Sequence, residues 1–208
     1  MSATTYTFAG DRVALIVRGK KSPDDDPGLL EQHADCILSN GMPVGFYGAA
    51  NAGPSGGAPS SSGDASKKSA GSSNSIGLGM TGVVFDFAEM RRRRANYADL
   101  SVARATGTIS TALIVTVSAS EARAFDQAWA DMTASPGSFQ ILGWNCSTHA
   151  SQVFVRSGIL SSGIPGLDTP NNLYLQLCAE KGSKVSAVSG YIGFSAFGTG
   201  YMMTVEEP

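Results

Sequence analysis

With 208 residues, 42% hydrophobic and 15% charged, the chain has the size and composition of one globular domain with a substantial core. A net charge of −2 gives no electrostatic case for nucleic acid or an anionic membrane as partner, and no run approaches the roughly 18 apolar residues of a membrane span. Three cysteines, Cys36, Cys146 and Cys178, make no disulfide framework, and Met1 to Tyr6 lack the charged-then-apolar pattern of a cleavable secretory signal, so the expectation is synthesis in a cytoplasm with free thiols.

Arg12 to Arg18 reads as a strand whose centre, Val13 to Val17, is a buried apolar run. Lys20 to Gly28, with Pro23, Pro27 and three successive aspartates, reads as an exposed loop. Its spacing lacks the alternation and closing glutamate of a calcium loop. Two short β-prone runs, Ala34 to Leu38 and Pro43 to Tyr47, flank Asn40-Gly41 and predict a hairpin. His33 then stands at the start of a central strand, with Asp35 on the same face by the period of two.

From about 49 to 75 the composition turns to Gly, Ser, Ala and Pro. That stretch reads as a flexible insertion within a single domain covering 1–208, since the first ~50 residues are too few for an independent core. Met80 to Phe87 predicts a further strand. The run Arg91 to Arg94 after it could meet an anionic polymer, but the commoner reading is a solvated turn or helix face. Thr108 to Val117 is β-branched and reads as a central strand. Ser118 or Ser120 caps a helix from about Glu121 to Met132, which Pro136-Gly137 ends. Ser135 to Gly143 and Ser161 to Pro170 read as loops, Asn171 to Ala179 as a short helix, and Val185 to Val205 as one or two last strands.

The chemistry concentrates on Trp144-Asn145-Cys146-Ser147-Thr148-His149-Ala150. Ala150, Val153 and Phe154 have a helical spacing, Asn145 is a good N-cap, and Gly158 supplies the stop. Cys146 therefore falls in the first turn, where unpaired amides and the helix dipole favour a thiolate. The alternative for any such cysteine is a small buried hydrophobe. Thiol catalysis needs an imidazole within hydrogen-bond reach, and the chain has only His33 and His149. His149 lies three residues beyond Cys146 on one helix and is the rival base; its ordinary role is a polar contact behind that helix. No C-x-x-C pair or zinc-finger spacing is present, so no metal and no cofactor are expected. Cys36 and Cys178 read as core thiols.

His33-Ala34-Asp35-Cys36-Ile37-Leu38-Ser39-Asn40-Gly41 followed by Val44-Gly45-Phe46-Tyr47 resembles the His-strand-turn-Gly-Phe element of circularly permuted NlpC/P60 (papain-like) proteins. Asn145 to Ala150, with Val153 and Ser157-Gly158-Ile159, resembles their Asn-Cys helix, and histidine precedes cysteine as in that permuted group. The resemblance implies an α+β fold, an antiparallel sheet packed against helices with Cys146 at a helix N-terminus. It implies Cys146 as nucleophile, His33 as general base and acid, and a third polar residue to orient the imidazole, for which Asp35, Asn51, Asp86 and Tyr47 are the candidates. The implied activity is cleavage of an amide bond, in peptidoglycan peptides above all. The implied setting is that of an antibacterial type VI secretion effector acting in a target-cell periplasm, with a cognate immunity protein and a secretion-machine component as partners. Two alternatives stand beside it: a hydrolase or acyltransferase of the same fold acting on a lipid or isopeptide, and a non-enzymatic binding module.

Overall fold

The computed structural model describes residues 2–28, 32–49, 80–140, 145–164 and 167–208. The Gly/Ser-rich insertion, apart from Ala49, lies outside the described residues, as do Asn51 and Trp144. The described strands are β1 (Ala3–Thr7), β2 (Arg12–Arg18), β3 (His33–Ile37), β4 (Pro43–Gly48), β5 (Met80–Phe85), β6 (Ile109–Thr116), β7 (Ser138–Phe139), β8 (Val185–Phe197) and β9 (Gly200–Glu206). The helices are α1 (Phe87–Arg93), α2 (Ala95–Ala98), α3 (Leu100–Ala105), α4 (Ala119–Ala134), α5 (Cys146–Arg156) and α6 (Pro170–Lys181). All strand pairs are antiparallel, in the order β1-β9-β8-β6-β2-β3-β4-β5-β7. The architecture is α+β.

The expected arrangement was an antiparallel sheet packed against helices. This sheet carries them on both faces. Val13, Leu15 and Val17 of β2 enter one core with α4, α5 and α6, whereas Ala14 and Ile16 enter a second core on the opposite face. Phe87 of α1 packs against that second core, and Met90 and Ala98 pack beside Tyr47 and Phe85 on the same side. Double coverage explains why β2 and β6 are continuous apolar runs instead of alternating ones. It also sets the cost of trimming either core, of the order of 3–5 kcal/mol for Phe or Trp to Ala.

Local chemistry places the elements around β3. Ser118 caps α4 with a full capping box to Glu121. The β3–β4 hairpin turns at Gly41, φ 87°, and Asn40 keeps a negative φ. Leu38 O accepts from Gly41 N, and Leu38 N donates to Met42 O, the pattern of a type I turn closed by a glycine bulge. The strand expected over Met80 to Phe87 ends at Phe85, because the Asp86 carboxylate accepts the Glu89 amide and starts α1 there. The arginine run is therefore on and just past a helix, with Arg92 and Arg93 both paired to Glu89. The loop expected from Ser135 contains the two-residue β7, and the last helix runs from Pro170 to Lys181, longer than Asn171 to Ala179.

Candidate active site

The α5 helix begins as its sequence requires. Asn145 Oδ1 accepts from the amides of Ser147 (3.0 Å) and Thr148 (3.1 Å), and Asn145 Nδ2 donates to Asp168 O at 3.0 Å. This cap locks the first turn and puts Cys146, only 7% exposed, at its start. The helix ends where Gly158 takes φ 76°.

β3 delivers the histidine. His33 and Asp35 share the face that meets α1 and α2, and Ala34 and Cys36 share the face that meets α5. His33 sits at the strand's first position, near enough to the Cys146 sulfur that each group shifts the other's ionisation. Its Nε2 lies 3.0 Å from Asp35 Oδ1. The Ala34 amide also donates to Cys146 Sγ, at 3.4 Å.

Asp35 is fully buried, and both its oxygens are engaged. Oδ1 takes His33 and the Tyr47 hydroxyl (2.8 Å); Oδ2 takes Arg18 Nε (2.7 Å). The Tyr47 ring stacks on His33 at 4.4 Å between centroids, and Tyr97 of α2 lies parallel to it at 6.0 Å. The imidazole is thus held in its plane by stacking and along its axis by a hydrogen bond.

The electrostatics follow. Burial opposes charge at Cys146, yet the neighbouring His33, by charge and hydrogen bond, and then the Ala34 amide bring its pKa below the ordinary thiol value. Burial likewise opposes charge on His33, but the Cys146 sulfur and then Asp35 hold its pKa well above the ordinary imidazole value. Asp35, despite burial, is lowered to about 2 by Arg18 and then His33. Burial pushes the thiols of Cys36 and Cys178 the other way, up. The arrangement favours a thiolate–imidazolium pair at Cys146 alone among the three cysteines.

Of the four residues considered for the third position, Asp35 makes the contact to the imidazole, and Tyr47 supports it through its hydroxyl and ring. Asp86 is exposed and occupied in capping α1, and Asn51 lies outside the described residues. His149 is directed into the core. Its ring stacks on Phe46 at 3.6 Å, Nδ1 lies 2.9 Å from Asn145 O, and burial lowers its pKa. Sequence reading missed Arg18, the Ala34 amide and Tyr97. Arg18 had one visible sign, a cation directly after the apolar run Val13 to Val17.

A separate cleft of about 440 Å³ lies between α5 and the Gly163, Ile164 and Asp168 side, lined by Thr148, Ser151, Gln152 and Val155 of the helix, among others. At about 100° per residue these α5 positions point away from Cys146, so the cleft is not the reacting pocket. Among the described residues no group of three His, Cys, Asp or Glu side chains is placed to hold a metal ion, and no helix is long and apolar enough to cross a membrane. Comparison with family models, curated proteins and solved structures finds no match.

Proposed function

We propose that this chain is a papain-like cysteine hydrolase of the permuted NlpC/P60 kind, cleaving an amide bond in peptidoglycan peptides. The observation that carries the reading is the Cys146–His33–Asp35 line at the N-terminus of α5. Its parts are those an activated nucleophile uses: a thiol at a helix N-terminus, a histidine near enough to share charge with it, and a carboxylate 3.0 Å from that histidine.

In the proposed reaction the Cys146 thiolate attacks the amide carbonyl carbon, forming a C–S bond and an oxyanion. The backbone N–H of Cys146 is the first amide of α5, adjacent to that oxyanion, and the asparagine cap engages the two amides after it instead. The His33 imidazolium passes a proton to the nitrogen of the collapsing intermediate; the C–N bond breaks and the amine leaves. Neutral His33 then takes a proton from water, which attacks the thioester. Collapse releases the carboxylic acid product and restores the thiolate and imidazolium.

An effector role with delivery into a competitor's periplasm, and an immunity protein that covers the Cys146 cleft, rest on the likeness of the two motifs. The testing experiment treats purified peptidoglycan with the wild type and with Cys146→Ala, and analyses soluble products by mass. New amine and carboxyl termini with the wild type alone are expected. Equal product patterns from both proteins, or none from either, overturn the reading. Periplasmic expression tests the effector role: toxicity should vanish with Cys146→Ala, and equal harm from both forms removes it.

A further inference from the structure

Resting on that hydrolase reading, we infer that Arg18 is a positioning residue of the Cys146–His33 centre, its guanidinium fork clamping the Asp35 carboxylate and tying it to the backbone of α2.

Arg18 ends β2 directly opposite His33 in the strand register, on the face shared with Asp35 and Tyr47. It is 2% exposed, a position where charge is expensive and an apolar side chain of similar volume is often at least as stabilising. Two of its donors are committed in different directions: Nε to Asp35 Oδ2 at 2.7 Å and Nη2 to Tyr97 O at 2.9 Å. Its plane also lies over the Tyr97 ring, 4.7 Å from the centroid. A lysine point charge cannot hold both oxygens and stack at once.

The consequence for His33 is geometric and electrostatic together. With Oδ2 fixed by Arg18, and Oδ1 shared between Tyr47 and His33, the carboxylate cannot rotate, so the imidazole axis towards Cys146 is set. Among the described residues, the charged and titratable groups facing this carboxylate and imidazole are Arg18 on β2, Tyr47 on β4, Tyr97 on α2 and Cys146 on α5; Cys36 lies next along β3 on the opposite face, and the Arg94 guanidinium lies beyond the Tyr47 ring. Arg18 alone among them donates to Asp35 Oδ2. Without it the buried carboxylate carries an unmatched charge and takes up a proton, and the negative partner that sustains the imidazolium is lost.

The test measures the rate of Cys146 alkylation by iodoacetamide from about pH 4 to about pH 9, with kcat and KM on the peptidoglycan substrate, for wild type, Arg18→Gln and Arg18→Lys. The wild-type rate should rise along an acid limb that lies at lower pH than that of an ordinary thiol. Arg18→Gln should shift that acid limb up by about one pH unit or more and lower kcat about 10- to 100-fold with KM nearly unchanged. Arg18→Lys should recover the limb while kcat stays reduced about tenfold, because the second oxygen is not held. If Arg18→Gln does not fold, Arg18→Lys decides alone: wild-type kcat in that variant overturns the inference. A wild-type acid limb left unaltered in a folded Arg18→Gln overturns it too. A wild-type Cys146 that reacts only in alkali removes the hydrolase reading and this inference together.

Discussion

Gly45 leaves open the space that the Asp35 carboxylate fills: a Cβ at position 45 would stand 2.1 Å from Asp35 Oδ1 and 3.0 Å from the Tyr47 ring. The two residues are direct cross-strand partners, so the clash cannot be relieved by a small shift of one side chain. The glycine is there for room, since its φ lies outside the left-handed region. Gly45→Ala should therefore lower kcat about 10- to 100-fold by displacing Asp35 from His33. Steady-state kinetics alongside a thermal melt check this; wild-type kcat in the folded variant removes the role given to Asp35.

Asp35→Asn should damage both activity and stability. The amide cannot support the imidazolium, so activity should fall by about two orders of magnitude or more. Arg18, 2% exposed, would lose its carboxylate, at a cost of roughly 3–5 kcal/mol. Denaturant titration measures the second effect. The double variant Asp35→Asn/Arg18→Met should recover much of the stability and none of the activity. A fully active Asp35→Asn protein would leave the third position to another residue.

Acid should unfold the protein in part through the same carboxylate. The pKa of Asp35 is lowered from 3.8 to about 2 in the folded state. A depressed pKa contributes stability that is complete above the ordinary carboxylate range and is lost as pH falls from about 5 to about 2, here of the order of 2 kcal/mol. Thermal midpoints taken across that window should fall less steeply for Asp35→Asn/Arg18→Met than for the wild type. Equal slopes would show that acid acts elsewhere.

His149→Ala should retain activity within about fivefold while losing stability, since the ring stacks on Phe46 and meets the Asn145 carbonyl behind the helix. Its expected cost is about 1–3 kcal/mol. His33→Ala should abolish turnover. The reverse pattern, with His149→Ala inactive and His33→Ala active, would exchange the two roles.

The parts of this site that depend on local rules were readable in the sequence. Asn145 before Cys146 defines a helix start, Gly158 its end, and the period of two puts His33 and Asp35 on one face. What sequence periodicity could not supply was pairing. Arg18 reaches Asp35 only because β2 lies beside β3 with Arg18 opposite His33, a register that emerges from packing. The second helical layer was hidden for a related reason. Its segments, α1 to α3, are short, and the clue was indirect: an uninterrupted apolar β2 needs cover on both faces. Asp99 was a further unread signal, its carboxylate accepting from the Ser101 and Val102 amides to start α3. At two residues and at the sheet edge, β7 has no pattern to read.

The two helical layers also bear on when the thiol becomes reactive. The sulfur arrives with α5 on one face of the sheet, whereas Arg18, Asp35 and Tyr47 assemble under α1 and α2 on the other, and His33 joins them only around the end of β3. A chain with one layer docked and the other undone would carry an ordinary thiol. Reactivity is then a late product of folding, so a chain held unfolded or half-packed is chemically quiet, and the rate at which Cys146 gains its enhanced reactivity after dilution from denaturant times the closure of both layers.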